Sequence, residues 1–157
     1  MKKRLDYIAA APDGYKAMIG LERYVRSGAI EKPLLELVKL RASQINGCAY
    51  CLDMHWKDAR AAGESEQRLY GLSAWHETPF YTERERAALA WTEALTRISK
   101  AKDVSDALYD EVRKQFSDKE LVDLSFAIIA INGWNRLAIP FRSEPGHYQP
   151  GQHAKSA

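Results

Sequence analysis

Apolar residues recur at three- and four-residue spacing along most of the chain. No run of alternating β-branched residues interrupts them, so the pattern predicts an all-α fold. A first amphipathic helix is expected over residues 14–27, with Tyr15, Met18, Ile19 and Val25 on one face and Gly28 as its stop. A second opens at Pro33, a residue suited to a first helical turn, and puts Leu34, Leu35, Val38, Ala42 and Ile45 on one side. Asn46-Gly47 ends it, because both residues tolerate the left-handed conformation found at helix C-termini. The third helix starts around Cys48 and runs to Ala62, before Gly63. A short helix follows over about residues 65–75, and residues 76–81 read as a loop.

In the second half, Thr82 with Glu85 forms a capping box, and the helix it opens carries Ala88, Trp91, Leu95 and Ile98. Ser105 caps a helix bearing Leu108, Val112 and Phe116. Ser117 with Glu120 is a second capping box, and Phe116 with Leu121 makes a hydrophobic staple across it. The helix from Asp118 to about Asn135 is apolar on more than one face, as a helix central to a bundle or lying against another subunit would be. From Ser143 onward Pro145, Gly146, Pro150 and Gly151 break the periodicity. Residues 1–142 therefore read as a single helical domain and residues 143–157 as a mobile C-terminal tail.

Composition narrows the class. A chain of 157 residues is long enough for one core that needs neither disulfide nor metal for stability, which leaves its cysteines free to serve function. The net charge of +2 comes from acidic and basic residues that alternate, as in Glu83-Arg84-Glu85-Arg86, so no basic stripe for nucleic acid is visible. Lys2, Lys3 and Arg4 are followed by Asp6 and Asp13, which interrupt anything resembling the apolar part of an export signal. The longest apolar run, Leu121 to Ile139, carries Asp123, Asn132, Asn135 and Arg136, costly in a bilayer, and reads as a buried helix. The expected location is the cytoplasm, without membrane or nucleic acid as partner. There a disulfide is transient and catalytic or redox-sensing rather than structural. Both cysteines of the chain fall within one four-residue window.

The segment Gly47-Cys48-Ala49-Tyr50-Cys51-Leu52-Asp53-Met54-His55 sets Cys48, Cys51 and His55 at C-x-x-C-x-x-x-H spacing. At about 3.6 residues per turn the three lie within an arc of roughly 60° on one helix face. Residues three apart have β-carbons about 5–6 Å apart, close enough for the two sulfurs to bond. If Asn46-Gly47 folds helices two and three into an antiparallel hairpin, Glu36 comes within about 3 Å, along the axis, of His55. The chemistry follows from the residue types. Thiolate is the nucleophile, a base and a helix N-terminus both increase its share, and a carboxylate orients the imidazole base. A cysteine oxidised by peroxide to sulfenic acid condenses with a second thiol before overoxidation. Sequence alone divides the two cysteines: Cys48 is nearer the helix terminus and expected to be the more exposed, while Cys51 lies four residues before His55.

With Glu36, Cys48-Ala49-Tyr50-Cys51 and His55 at these spacings, the chain resembles the alkylhydroperoxidase AhpD-like proteins of the carboxymuconolactone decarboxylase superfamily. The likeness covers most of residues 15–142, and Asn132-Gly133-Trp134-Asn135-Arg136 adds to it. It implies an AhpD-like helical bundle with the CxxC pair on a helical hairpin, and thiol-dependent reduction of an organic hydroperoxide. By that resemblance Cys51 is the peroxidatic residue, Cys48 the proton donor and resolving thiol, and Glu36 with His55 the proton relay. A dithiol electron donor and a homo-oligomer, trimer or hexamer, are implied as partners, and no cofactor or metal is. The chain departs from the founding enzymes at Tyr50, where they carry histidine before the second cysteine.

Other readings compete with this one. Lactone decarboxylation follows only from the superfamily name, and its practitioners do not rely on a cysteine pair. A non-catalytic redox-sensing oligomer would use the same disulfide differently. Cys48, Cys51, His55 and Glu36 could ligate zinc, but structural zinc sites draw on two separated ligand pairs. Trp56, Trp91 and Trp134 read as core, and His76, His147 and His153 as surface. Phe80 and Tyr81 read as packing residues rather than an entrance for substrate. Asn135 and Arg136 satisfy either a helix end or a subunit interface.

Overall fold

The computed structural model describes residues 2–152, and the described residues form helices and turns without a strand. The element order is α1 (Tyr7–Ala10), α2 (Pro12–Ser27), α3 (Lys32–Asn46), α4 (Ala49–Ala61), α5 (Glu66–Gly71), a 3₁₀ helix (Leu72–Glu77), α6 (Glu83–Arg97), a 3₁₀ turn (Ala101–Asp103), α7 (Asp106–Arg113) and α8 (Asp118–Phe141).

α3 is the central rod, packed against α4, α6 and α8. Leu34, Leu35, Leu37, Val38 and Leu40 are all buried, so apolar residues face outward from α3 in several directions instead of forming one stripe. Leu34, Leu35 and Val38 enter a core with Leu124 and Ile128 of α8, while Leu37 and Leu40 enter another with Leu72, Trp75 and Leu89. Truncating any of these leucines to alanine leaves a cavity costing about 2–5 kcal/mol, so the rotation of α3 about its axis is firmly set. That rotation decides which way Glu36 points.

Both capping boxes form, at Thr82–Glu85 and Ser117–Glu120, and Ser105 caps α7. Three differences from the sequence reading matter. The short helix α1 precedes α2 and was not foreseen. A 3₁₀ helix continues the fifth helix to Glu77, through the start of the expected loop. α8 runs to Phe141, six residues beyond the expected end at Asn135, even though Pro140 lies within it. Proline is tolerated there because the helix closes in the next turn: Arg142 adopts φ 56°, and Ser143 N–H returns to the Ala138 carbonyl at 2.9 Å.

Residues beyond Ser143, read from sequence as a mobile tail, carry an anchor. Tyr148 is 5% exposed, and its hydroxyl meets both carboxylate oxygens of Asp58 at 2.9 and 2.8 Å. Gly146 N–H bonds Asp53, and Lys57 bonds the Gly146 and Tyr148 carbonyls, so three residues of α4 hold this segment. Residues 153–157, His153 included, lie outside the described residues.

Candidate active site

The site begins with a turn of a single residue. Gly47 takes φ 70°, which glycine adopts without steric cost, and its N–H and that of Cys48 both return to the last turn of α3. Cys48 thereby closes α3 and opens α4 at once. As N-cap of α4 it accepts the Cys51 backbone N–H on Sγ at 3.4 Å. Asn46 is held by Asn132 and Asn135 of α8, at 2.9 and 2.8 Å. These bonds fix where the hairpin turns.

The hairpin brings together all four residues singled out from sequence. Cys48 and Cys51 are joined as a disulfide, with α-carbons 5.4 Å apart. His55 lies one turn beyond Cys51 on α4, and its Nδ1 is 2.8 Å from Glu36 Oε2 across the hairpin. One expectation is corrected: Cys48 is not the more exposed cysteine, since Cys48 and Cys51 are 0% and 1% exposed. The fold packs α8 against α4, and Ile131 and Ala138 share one buried cluster with both cysteines.

A chamber of about 110 Å³ opens over this hairpin. Cys51 and His55 are in its wall, and Cys48 is not. Tyr7, Tyr15, Tyr50 and Trp134 line it with aromatic rings, Tyr15 and Trp134 meeting edge to face at 5.9 Å. The volume is many times what one water needs, and the lining is mostly apolar, as in a site for an organic molecule. Trp134 is thus a wall of the chamber rather than only core, Trp56 is exposed, and Trp91 is buried as expected. Phe80 packs against a buried cluster that includes Tyr81.

Three carboxylates, Glu22, Glu36 and Asp58, line the chamber together with His55. Burial raises the Glu36 carboxyl, but the His55 ring and the Lys39 ammonium outweigh it and hold Glu36 below the ordinary glutamate range. Glu22 is likewise lowered despite burial, by Lys39 and Arg26. Burial also pushes the Tyr50 phenol up, keeping it protonated. Glu36, His55 and Asp58 are a set whose donor atoms come within 4.8 Å of one another. The His55–Glu36 hydrogen bond accounts for one of these approaches, and convergence alone assigns no metal to the set. No buried side-chain nitrogen or oxygen among the described residues lacks a partner.

Sequence reasoning missed Asp58, Glu22, Lys39, Tyr7 and Tyr15. Asp58 had a signal, lying three residues after His55 on the same helix face. The others reach the site from α1, α2 and the inner side of α3, and no local spacing connects them to the cysteines.

Fold and site define an all-α protein with a CxxC pair, closed as a disulfide, at the turn of a helical hairpin. The chain belongs to the carboxymuconolactone decarboxylase family, whose pattern matches residues 12–94, and its architecture is AhpD-like. Uncharacterized protein YdfG of Bacillus subtilis is 46% identical over 139 residues, 88% of this chain and 94% of that one. A solved structure of a protein of unknown function from Agrobacterium tumefaciens, ATU0492, is 46% identical with a TM-score of 0.88, covering 94% of this chain and all of that one. The debrominase Bmp8 shares the fold at 21% identity and a TM-score of 0.78, over 89% of this chain and 75% of its own. Among the described residues no helix is long and apolar enough to cross a membrane.

Proposed function

We propose that the protein is a thiol peroxidase of the alkylhydroperoxidase kind, acting through Cys51, with Cys48 as resolving thiol and Glu36–His55 as proton relay. The observation that carries this reading is a disulfide whose Cys51 end lies in the chamber wall, one helical turn from an imidazole that is itself bonded to the half-buried Glu36 carboxylate at 2.8 Å. The Agrobacterium protein ATU0492, a proposed antioxidant defence protein AhpD, points the same way.

The cycle balances. In the reduced protein His55 takes the Cys51 proton, and the thiolate attacks one peroxide oxygen. A sulfur–oxygen bond forms, the oxygen–oxygen bond breaks, and the alkoxide leaves as alcohol with the proton from His55. Cys48 then gives up its thiol proton and attacks the sulfenic sulfur: the sulfur–sulfur bond forms, the sulfur–oxygen bond breaks, and the hydroxide leaves as water with the proton Cys48 released. A dithiol donor returns two electrons by exchange and becomes a disulfide itself. Support for Cys51 as nucleophile is its place in the chamber wall, from which Cys48 is absent. Decarboxylation of a lactone would leave the disulfide without a role.

The reading includes a cytoplasmic location, where such donors are abundant, and a homo-oligomer. Val122, Phe126 and Ile129 support the latter, exposed along one side of α8. Peroxide consumption coupled to a dithiol such as dihydrolipoate tests the function. Cys51→Ser is expected to abolish turnover, and Cys48→Ser to leave a sulfenic acid on Cys51 that dimedone traps. Wild-type turnover in Cys51→Ser, or no trapped adduct in Cys48→Ser, overturns the assignment.

A further inference from the structure

The relay described above uses Glu36 and His55, but it leaves a buried lysine and a second buried carboxylate unexplained. Lys39 is 3% exposed, and its Nζ is 2.5 Å from Glu22 Oε1. Moving an ammonium out of water is expensive unless opposite charge meets it, and hydrophobic residues of like volume often serve stability as well or better. A role confined to joining α2 and α3 therefore explains Lys39 poorly.

Lys39 lies three residues after Glu36, on the same side of α3, with Glu22 facing both from α2. The charged and titratable groups around Glu36 are Lys39 on its own helix, His55 and Asp58 on α4, and Glu22 and Arg26 on α2. Arg26 reaches Glu22 at 3.2 Å but is 39% exposed, so solvent screens it. Trp134 Nε1–H approaches the other Glu22 oxygen at 3.4 Å. The Lys39 ammonium is thus bonded to Glu22 and lies one helical turn from Glu36, whose carboxylate its charge also favours.

We propose that Lys39 is a positioning residue of the relay, keeping the Glu36 carboxylate charged and aimed at His55, and that Glu22 sets how much of the lysine's charge reaches Glu36. The proposal rests on the relay reading of Glu36 and His55. It also distinguishes itself from a structural salt bridge by sign. Removing the cation leaves two carboxylates facing each other, so protons bind more tightly throughout the site. Removing Glu22 alone leaves the whole ammonium to Glu36, with the opposite effect. A merely structural pair would lower stability in both variants and shift the site's protonation in neither.

The test is the pH dependence of Cys51 alkylation by iodoacetamide in the reduced full-length protein, followed by mass spectrometry, which needs no peroxidase turnover. Lys39→Met is expected to raise the midpoint by about one pH unit, the usual effect of one near charge. Glu22→Gln is expected to lower it, Lys39→Arg to leave it near wild type, and Glu22→Gln with Lys39→Met to bring it back toward wild type. Unmoved midpoints, or shifts of the same sign in the two single variants, overturn the proposal. Should Lys39→Met fail to fold by circular dichroism, the downward shift in Glu22→Gln decides alone. Absent peroxide turnover in the wild-type protein together with opposed shifts removes the peroxidase reading and keeps this one; turnover with unmoved midpoints does the reverse.

Discussion

Asn135 Oδ1 accepts a 2.8 Å hydrogen bond from Asn46 Nδ2, tying the middle of α8 to the last residue of α3 before the hairpin turn. Asn135 is fully buried and also donates to Ser43 Oγ at 3.2 Å. The bond links two elements almost ninety positions apart and holds the cysteine-bearing turn in place.

Asn135→Ala removes one of two partners from the part-buried Asn46 and a partner from Ser43, which is fully buried. The expected loss is about 1–3 kcal/mol, the cost of leaving buried polar groups unpaired. Urea unfolding monitored by circular dichroism measures it, with unchanged stability as the contrary result.

The second capping box makes stability acid-sensitive. Ser117 backbone and hydroxyl groups, with Arg84, hold the Glu120 carboxyl down to about 2, against 4.5 for the free side chain. A depressed carboxyl contributes stability that is whole above the unfolded value and is lost as pH falls through the folded one. Glu120→Gln should therefore flatten the decline of unfolding midpoint between about pH 4.5 and 2, while lowering the midpoint at neutral pH. Thermal scans at several pH values show whether the slope changes.

The proposed relay depends on the charge of Glu36. Glu36→Gln keeps a hydrogen-bond acceptor beside His55 Nδ1 but removes the charge that would stabilise a proton on the ring. Peroxide turnover per enzyme should fall on the order of 10²-fold, within the range of general-base contributions. Unfolding midpoints measured in parallel separate this from a loss of fold.

Self-association has its own readout. Ile129 is 55% exposed beside Phe126 and Val122 on α8, and Ile129→Glu puts a charge in the middle of that apolar side. Light scattering should report an oligomer for the wild-type protein and a smaller species for the variant. A wild-type monomer would remove the oligomer from the reading.

Much of this architecture was legible because its signals are local. Capping boxes at Thr82–Glu85 and Ser117–Glu120, and the stop at Gly47, depend on residues within one turn of each other, and the structure realises all three. The Glu36–His55 approach was legible for a related reason: a tight turn between two helices fixes their register, so counting residues from Gly47 suffices.

What only the tertiary structure decided involves contacts between distant segments. Which cysteine faces the chamber depends on how α8 packs against α4, and both cysteines are buried where sequence position favoured exposure of Cys48. The continuation of α8 past Asn135 follows from that side chain bonding across to α3 instead of ending its own helix. The grouping of Lys39 with Glu22, and of Tyr15 with Trp134, is likewise set by helix packing. Sequence determined the elements and the hairpin, because hydrogen bonds along a helix and across a short turn involve neighbours. The walls and charge balance of the site were set by the packing of buried side chains, which no spacing along the chain encodes.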